Sequence, residues 1–483
     1  MQNNLIWFRN DLRLHDNTAL HHACNSNEDK VIGLFIATPK QWSEHSMSQK
    51  KKSFIYSHLI SLQKELLKLN IILYYYESTD FLNSIEYLLY FCEKHKIKNL
   101  FYNYQYEINE RNRDVLLKKK LSEKGLFIKG FHDNIFFSEK KIKNHKNETY
   151  KVFTFFKKKV IKNLNDNIPQ CFPVPLKRKP DKDIFSMFTS LKHLSLHFDK
   201  NIFPVGEKKA IDRLKNFYMH KIDDYASKRN FPFLESTSML SPYLSSGIIS
   251  SRYCLMMLLK IKNNFSSNIL LTSSWFNQIL WRDFYYHLLI GFPKISKFQA
   301  LVAWEEEIPW VNNIKHFNAW KEGCTGFPII DAGMRQLNQL GWMHNRLRMI
   351  TSSFLVKNLL INWRKGEKYF MSNLIDGDLA LNNGGWQWSA SVGCDSVPYF
   401  RMFNPLNQSI IFDISGNFIK KFIPELKYVP NHYIHEPHKW SKEKNIKLDY
   451  PLPIINYNDS RKKFLLTFNQ ARLKFKKRLN TYE

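Results

Sequence analysis

The spacing of apolar positions in the first part of the chain predicts alternating strands and helices. Short apolar runs occupy residues 5–8, 31–37, 71–76, 100–102 and 126–131, and each is typical of a buried strand. Between the second and third runs, apolar residues recur on one helical face of the segment 54–69. Five strands alternating with helices predict an α/β domain with a doubly wound, parallel, five-stranded sheet. Such sheets bind ligands beyond the carboxyl ends of their strands.

A different pattern begins at about residue 205. Long amphipathic segments at 210–219, 250–261, 273–289, 331–340 and 350–363 predict an all-α domain. Most of the 12 Trp lie in this half, which indicates an aromatic-rich cavity. The preceding stretch has one short helical pattern at 153–161 and is typical of a linker because of its prolines, Pro169, Pro173, Pro175 and Pro180. We therefore expect an α/β domain at 1–132, a linker at 133–204 and a helical domain at 205–483.

The charge of the chain suggests a polyanionic partner. The 483 residues carry a formal net charge of +29, with a pI near 9.6. Much of this charge is Lys scattered over the sequence, in runs such as 50–52, 118–120 and 157–159. The places where Arg and Trp coincide are therefore more informative than the net charge.

The cysteines and the apolar runs indicate a cytoplasmic protein. Six dispersed Cys form no C-x-x-C pair and no spacing typical of a zinc site, so we expect free thiols and no metal. Arg9 and Asp11 come too early for a signal-peptide core. No apolar run approaches the roughly 18 residues that a membrane helix needs.

The expected α/β domain lacks the usual nucleotide-binding motifs. No G-x-G-x-x-G follows the first apolar run, and no Walker loop is present in the sequence. If the chain binds a flavin or a nucleotide, it must therefore do so elsewhere.

The stretch 376–388 is the strongest candidate for a ligand site. It reads Asp-Gly-Asp-Leu-Ala-Leu-Asn-Asn-Gly-Gly-Trp-Gln-Trp. We expect Gly384 and Gly385 to take backbone angles barred to other residues and to let a flat ring approach the main chain. Asn382 and Asn383 supply donors and acceptors that can orient a heterocycle. The alternative is ordinary Asp-Gly turn chemistry beside buried Trp.

Three further groups of residues have both a functional and a structural interpretation. The segment 237–241, Thr-Ser-Met-Leu-Ser, precedes a helix and is either a pyrophosphate cradle or a helix cap. One helical face carries Trp275, Gln278 and Arg282. This face either lines a cavity or belongs to an edge helix. Asn345 and Arg348 are three residues apart. Arg348 is suited to form a salt bridge with Asp376 or Asp378, and this salt bridge has either a structural or a functional role.

Two motifs resemble a known family. The stretch 342–350, Trp-Met-His-Asn-Arg-Leu-Arg-Met-Ile, and the stretch 376–388 resemble the photolyase/cryptochrome family, most closely the bacterial cyclobutane-dimer photolyases. The likeness starts at Leu5-Ile6-Trp7-Phe8-Arg9 and covers almost the whole chain. It implies a carbon–carbon lyase in which light drives an electron from reduced FAD to a pyrimidine dimer flipped out of DNA. The alternatives are a cryptochrome photoreceptor, a (6-4) photolyase, or a basic nucleic-acid-binding protein without catalysis.

The resemblance also implies roles for individual residues. It implies FAD contacts from Tyr225, Thr237, Ser238, Met239, Leu240, Ser241, Trp275, Arg282, Asn345, Arg348, Asp376, Gly377, Asp378 and Asn382. Gln278 and Asn382 would take part in the reaction, and Trp386, Trp363 and Trp310 would relay electrons in that order outward. Damaged DNA, bound by a monomer, would meet Arg229, Trp281, Arg282, Asn345, Arg346 and Trp388.

An antenna chromophore is implied for the α/β domain. The stretch 104–111 looks like the segment that holds 5,10-methenyltetrahydrofolate in folate-using members of the family. The residues in contact with it would be His45, Asn109, Glu110 and Lys297. Taken without the resemblance, these residues form a polar loop and the start of a helix.

Three positions depart from the family pattern. Met239 stands where relatives often have Arg, and Phe155 where they usually have Pro. Gln278 stands where cyclobutane-dimer photolyases usually carry Glu, while Gln is common in (6-4) photolyases and cryptochromes. The segment 345–349 matches the dimer class, so we expect dimer repair.

Overall fold

The computed structural model describes residues 3–26, 29–179, 197–261, 272–396 and 398–480. The chain divides into two compact units. The first unit comprises Met1–Asp223, Ser238–Ser296 and Ile375–Asp378, and the second comprises Asp224–Thr237, Lys297–Leu374 and Leu379–Glu483. The domain boundaries expected from the sequence, at 132/133 and 204/205, stay predictions.

The first unit contains a five-stranded parallel sheet. Its strands are β1 (Asn3–Phe8), β2 (Lys30–Ala37), β3 (Ile72–Glu77), β4 (Ile97–Asn103) and β5 (Phe127–Phe131), in the order β3-β2-β1-β4-β5. All neighbouring strands run parallel, and central Leu5 pairs with Ile32 and Leu100. The α/β fold class and all five predicted strands are confirmed. They were predictable because strands covered on both faces have continuous apolar sequences.

Helices of the first unit connect and cover the strands. The predicted helix at 54–69 begins earlier, at Gln49, because the Ser48 side chain accepts a hydrogen bond from the Lys51 amide (3.0 Å) and caps it. The helices are Thr18–Ala23, Pro39–Glu44, Gln49–Lys68, Phe81–Lys94, Ile108–Glu123, Phe153–Asp166, Glu207–His220, Ser241–Ser245, Ser251–Ile261 and Ser274–Gly291.

The second unit is helical, as predicted. Its core includes the fully buried Trp320, Trp363 and Phe464. Its helices are Tyr225–Lys228, Ile314–Glu322, Pro328–Leu340, Asn345–Ser353, Trp363–Asn373, Leu379–Ala390, Pro405–Phe412, Asn417–Phe422, Pro437–Lys444 and Tyr457–Asn480.

One predicted helix is wrong. The amphipathic segment 350–363 is not continuous, because the helix Asn345–Ser353 passes into a π-helical turn at Phe354–Asn358 and then stops. Leu360 has a φ of 53°, which no helix continues through. Asn362 then caps a new helix by accepting from the Arg364 amide (3.0 Å), so Trp363 is the first residue of that helix.

The expected linker lies along the α/β part of the first unit where it is described. The Phe172 carbonyl accepts from the Asp16 amide (2.8 Å), and the Arg178 amide donates to the Leu69 carbonyl (2.9 Å). Residues 180–196, which include Pro180, lie outside the described residues.

Two expectations about the whole chain concern cysteines and membrane helices. All six cysteines are free. Within the described ranges, no helix has the length and apolar character needed to cross a membrane.

Buried ion pairs join three segments of the first unit. Arg252, on the helix Ser251–Ile261, donates to Asp133 Oδ1 (2.7 Å) and to Asp16 Oδ2 (3.0 Å). Arg13 also pairs with Asp133, and it donates to the Gly247 carbonyl (3.0 Å). The Arg13 and Arg252 charges outweigh burial and hold the pKa of Asp133 well below its usual range. Gly247 (φ 64°) lies so close to the loop after β1 that a Cβ there would be 1.9 Å from the Asn10 oxygen.

Replacing Arg252 tests this network. Arg252→Met should lower the free energy of unfolding by ~3–5 kcal/mol, because it leaves two buried carboxylates without their shared cation. The measurement is urea denaturation at pH 7. The control is Lys260→Met, which removes an exposed charge from the same helix. A loss below ~1 kcal/mol for Arg252→Met would mean that the network is dispensable.

Candidate functional site

The segment 237–241 carries a strained residue in the first unit. Met239 has a φ of 47°, in the left-handed region that residues other than glycine rarely adopt. Next to it, Ser238 Oγ accepts from Trp275 Nε1 (3.3 Å). Leu240 precedes the short helix Ser241–Ser245, so the predicted helix start is confirmed. The structure thus brings two of the predicted ligand residues, Ser238 and Trp275, into contact.

The helix Ser274–Gly291 presents Trp275, Gln278 and Arg282 as predicted. Trp275 and Arg282 are buried, and Gln278 is half-buried. Arg282 donates to the Asn134 carbonyl (2.8 Å) and to its side-chain oxygen, which fixes the guanidinium. Among the described residues, the Gln278 amide makes one long contact, to the Ser274 carbonyl (3.5 Å), so its hydrogen-bonding groups are suited to a ligand.

Trp281 is half-buried and stacks on a residue that the sequence did not single out. Its ring lies 3.9 Å from that of Phe153, with 10° between the planes. Phe153 begins the helix Phe153–Asp166. One face of the Trp281 indole is therefore covered by protein, and the ring is held in place.

The loop of Asp376, Gly377 and Asp378 is tied to other parts of the first unit. The ammonium of Lys51 donates to the Gly377 carbonyl, and the Tyr286 hydroxyl donates to Asp378. Lys51 is buried, and burial lowers its pKa against the opposing effect of the two carboxylates. The sequence analysis did not identify this lysine, because it stands in a run of lysines, and such runs are usually solvent-exposed.

Two of the residues predicted to contact an antenna chromophore are neighbours on one helix. In the first unit, Asn109 and Glu110 occupy the first turn of the helix Ile108–Glu123, with Asn109 exposed and Glu110 buried. Glu110 Oε2 is buried and has no hydrogen-bond partner among the described residues. Burial raises the pKa of Glu110, although Arg113 opposes this. Half-buried His45 contacts Gln41, and Lys297 belongs to the second unit, where it is exposed.

A cleft lies where sheets of this type bind ligands. It is a small cleft at the carboxyl ends of β1 and β4. Its lining is polar and aromatic, and comprises Asn10, Asp11, Asn103, Tyr104, Gln105, Tyr106, Glu107, Asp133, Asn134 and Tyr286.

In the second unit, the helix Leu379–Ala390 carries Asn382, Trp386 and Trp388. Asn382 and Trp386 are buried, whereas Trp388 is half-buried. The expectation of unusual backbone angles at Gly384 and Gly385 is wrong, because both lie inside this regular helix. A Cβ at Gly385 would meet no atom within 4 Å, so the helix face one turn after Asn382 borders open space.

A buried glutamate holds Asn382. Asn382 Nδ2 donates to the Glu367 carbonyl (2.9 Å) and to Glu367 Oε1 (3.3 Å), and both bonds use the amide nitrogen. The amide oxygen is thus oriented to accept from a ligand. Burial raises the pKa of Glu367 to about 7, against weaker opposing effects of Asn382 and Arg364. The sequence did not identify Glu367, since only the fold brings it to Asn382.

The helix Asn345–Ser353 carries the other predicted amides and cations of this unit. Arg348 Nε donates to the Met343 carbonyl (2.9 Å), and Asn345 is exposed. Arg346 donates to Asn230 (2.8 Å) and lies over the Phe412 ring (4.3 Å). The pairing of Arg348 with Asp376 or Asp378 stays a prediction.

A pair of arginines adds positive charge to the same unit. Burial lowers the pKa of Arg346, and the charge of Arg229 lowers it further. The Arg229 guanidinium lies 5.6 Å from the ring centre of Tyr225, which is buried. Thr237 lies in this unit as well.

Of the three Trp predicted as a relay, Trp363 begins the helix Trp363–Asn373 and Trp386 packs against it. The Trp386 ring packs against Gly366, where a Cβ would be 2.2 Å from the ring. Trp363 starts the helix, and its indole nitrogen donates to Glu305 Oε1 (3.1 Å). Trp310 Nε1 donates to the same oxygen (3.2 Å). The sequence missed Glu305, although a run of three Glu at 305–307 in a basic chain was a signal that could have revealed it.

Comparisons with known proteins agree with this architecture. Residues 4–175 match the family model described as DNA photolyase, and residues 275–470 match the FAD binding domain of DNA photolyase. A deoxyribodipyrimidine photo-lyase of Buchnera aphidicola subsp. Acyrthosiphon pisum is 75% identical over 99% of both chains. A bacterial class III photolyase structure from Agrobacterium tumefaciens aligns with a TM-score of 0.83 and 31% identity, covering 98% of both chains. A Synechocystis cryptochrome aligns with a TM-score of 0.84 and 27% identity, covering 96% of this chain and 99% of that one.

The raised pKa of Glu367 predicts a pH-dependent stability. The contribution of a neutral Glu367 is fully present below pH ~4.3 and is lost as the pH rises through about 7. Between pH 4.5 and 8.5, the stability advantage of wild type over Glu367→Gln should fall by on the order of 3 kcal/mol. Chemical denaturation at both pH values measures it.

Glu322→Gln provides the control for this series, because it removes an exposed carboxyl from the same unit. Its stability difference from wild type should change little with pH. Equal pH dependence of wild type and Glu367→Gln would show that folding leaves the pKa of Glu367 unshifted.

Proposed function

Because this chain belongs to the DNA photolyase family, we propose that it repairs cyclobutane pyrimidine dimers in DNA with light. The observation that carries the proposal is 75% identity over 99% of both chains to a deoxyribodipyrimidine photo-lyase. The geometry agrees with it, since a helix with an open face and an oriented amide lies beside a series of buried Trp. The enzyme would be a carbon–carbon lyase that leaves no net redox change.

The residues of the second unit fit a flavin in the FAD-binding domain. Asn382 has its amide nitrogen engaged by Glu367 and its oxygen available to accept from a ring N–H. The open space at Gly385 leaves room for a flat ring system against the helix. We propose Asn345, Arg348, Tyr225 and Thr237 as further contacts.

We also propose FAD contacts for residues of the first unit. Ser238 and Ser241 offer hydroxyls for a diphosphate, and the backbone amides of the segment 238–241 are further donors that suit it. Trp275 and Arg282 would line the cavity, and the loop of Asp376, Gly377 and Asp378 would bind ring or ribityl donors. Lys51 and Tyr286 keep that loop in place.

The chain's part in the reaction is to bind, orient and exclude water. Bound reduced FAD supplies the light-driven electron that splits the cyclobutane ring and then recovers it. Gln278 can accept from a thymine ring N–H and donate to a neighbouring carbonyl at once, which would orient the dimer. As a neutral amide it also adds no buried charge beside the reacting ring.

Aromatic and basic side chains support damaged DNA as the partner. Trp281 is held by Phe153 and Trp388 is half-buried, so each could stack on a flipped base, with an energy of about 1–3 kcal/mol per base. Arg229 and Arg346 place two positive charges near each other in the second unit, as phosphate binding requires. Arg282 and Asn345 would add polar contacts.

A folate antenna is the second cofactor that we propose. Glu110 Oε2 is a buried acceptor without a described partner, and a pterin ring offers N–H donors that match it. His45, Asn109 and Lys297 would contribute the remaining contacts to 5,10-methenyltetrahydrofolate. We propose that the protein is a cytoplasmic monomer, and its six free thiols agree with a reducing compartment.

The first test separates dimer repair from the alternatives. Chemically reduced protein is illuminated with oligonucleotides that each hold one lesion type, and repair is measured by product chromatography, with dark samples as controls. We expect dimer repair, and Gln278→Glu should change its rate by less than tenfold, or ~1.4 kcal/mol. Gln278 is the one observation that favours a (6-4) photolyase. Repair of the (6-4) lesion but not of the dimer would overturn the assignment, and repair of neither would favour a cryptochrome.

The second test concerns the Trp relay. Trp386→Phe should retain flavin but lose light-driven reduction by an external thiol, because the innermost donor is removed. The measurement is flavin absorbance during illumination. Trp304→Phe is a matched control, since Trp304 packs on Phe468 in the same unit and has no proposed role in the relay. Photoreduction of Trp386→Phe at the wild-type rate would mean that another route operates.

A further inference from the structure

One carboxylate in the second unit touches two of the three relay indoles. Glu305 is buried, with 3% of its surface exposed, and its Oε1 accepts from Trp363 Nε1 (3.1 Å) and Trp310 Nε1 (3.2 Å). These two side chains are 53 residues apart in sequence, yet both direct their only polar group at one atom. Burial and two converging N–H donors distinguish Glu305 from its exposed neighbour Glu306.

The charge on Glu305 is maintained by Arg364. The guanidinium of Arg364 makes two parallel bonds to the carboxylate, Nη1 to Oε1 (2.7 Å) and Nη2 to Oε2 (3.0 Å). Such two-point pairing is the strongest form of an arginine–carboxylate contact. The Arg364 Nε also donates to the Phe298 carbonyl (2.6 Å), which fixes the guanidinium.

The same arginine distinguishes the two indoles. The Arg364 guanidinium lies over the Trp363 ring, 4.6 Å from its centre. Over the Trp310 ring, the described part of the chain places no Lys or Arg, and Phe468 meets that ring edge-on (6.0 Å). A positive charge on Trp363 would thus lie beside both the carboxylate and the guanidinium. A positive charge on Trp310 would lie beside the carboxylate, with no described cation over the ring.

We propose that Glu305 stabilises the oxidised indoles of the relay and that, together with Arg364, it directs the positive charge outward from Trp363 to Trp310. The proposal rests on the relay proposed above. In the step concerned, one electron passes from the Trp310 indole to the oxidised Trp363 indole, which returns to its neutral form. Trp310 becomes the radical cation and keeps its N–H proton in the hydrogen bond to Glu305. A thiol reductant in solution then returns one electron to Trp310.

The arrangement favours the outward step because buried charges interact strongly at short range. A negative charge beside both indole N–H groups lowers the cost of oxidising either one. The cation raises that cost most at the inner position, because it lies directly over the Trp363 ring. The charge is therefore drawn away from the flavin side, where it would otherwise recombine.

The experiment compares three variants by light-driven reduction with a thiol donor, each checked for fold by circular dichroism and for flavin content. Glu305→Gln keeps size and removes the charge, and it should photoreduce about tenfold more slowly, equivalent to ~1.4 kcal/mol. Arg364→Gln removes the cation over Trp363, which weakens the outward step, so it should photoreduce more slowly than wild type. Glu306→Gln makes the same chemical change at an exposed position and should match wild type.

Slower photoreduction is expected for both Glu305→Gln and Arg364→Gln. If Arg364→Gln photoreduces as fast as wild type, the cation does not direct the charge and the proposal is overturned. If Arg364→Gln is slow but its indole N–H vibrational bands are also shifted, the pair is only a structural anchor, which overturns the proposal as well. If Glu305→Gln does not fold, the rate and the bands of Arg364→Gln still decide. Ultraviolet resonance Raman spectra give a readout independent of photochemistry, since the bands of hydrogen-bonded indole N–H should shift in Glu305→Gln and not in Glu306→Gln.

Failure of this proposal is distinguishable from failure of the relay itself. If Trp386→Phe blocks photoreduction while Glu305→Gln photoreduces normally, the relay stands and the role of Glu305 is wrong. If Trp386→Phe photoreduces normally, the relay is wrong. Repair by chemically reduced protein bypasses the relay, so it should be equal in wild type and Glu305→Gln, and a loss there would show that Glu305 acts on the flavin site instead.

Discussion

The first unit depends on the sharing of Asp133 by Arg13 and Arg252. Asp133 follows the last strand, Arg13 follows the first, and Arg252 lies on a helix more than a hundred residues later, so one buried carboxylate joins three segments. Removing any one partner would leave uncompensated charge in the interior, which makes the arrangement all-or-none. The next residue, Asn134, holds Arg282. The position of a predicted ligand residue is therefore determined by the ion pairs at the edge of the sheet.

The second unit has a comparable organiser in the helix Trp363–Asn373. Its first residue is one relay indole, Gly366 accommodates the ring of Trp386 without space for a Cβ, and Glu367 holds Asn382. Trp386 and Asn382 lie four residues apart on another helix. Their contacts with Gly366 and Glu367 fix the rotation of that helix about its axis and its position along the axis. A change at Gly366 would displace the Trp and the amide together, because both depend on the same helix–helix packing.

The sequence predicted the elements better than the contacts between them. Buried strands and long amphipathic helices have periodic patterns, so their positions followed directly. The break in the helix before Trp363 was not predicted, because the apolar spacing continues through Leu360. Only the backbone conformation changes there, to a positive φ. The glycines at 384–385 were misinterpreted, because glycine inside a regular helix leaves no mark on the sequence that separates it from a turn. Lys51 was missed because its partner lies 326 residues away and its neighbours are also lysines.

Two buried glutamates of the second unit illustrate what only the fold can specify. Glu305 meets a guanidinium in two-point contact and two indole N–H groups, all of which favour a negative charge. Glu367 meets an amide and has its pKa raised by burial to about 7, so the neutral acid is populated near neutral pH. The same side chain thus supplies a charge where oxidised indoles are proposed and can be neutral beside the amide proposed to face a flavin. Since the residue type is identical, this division of roles comes from partners supplied by distant parts of the chain.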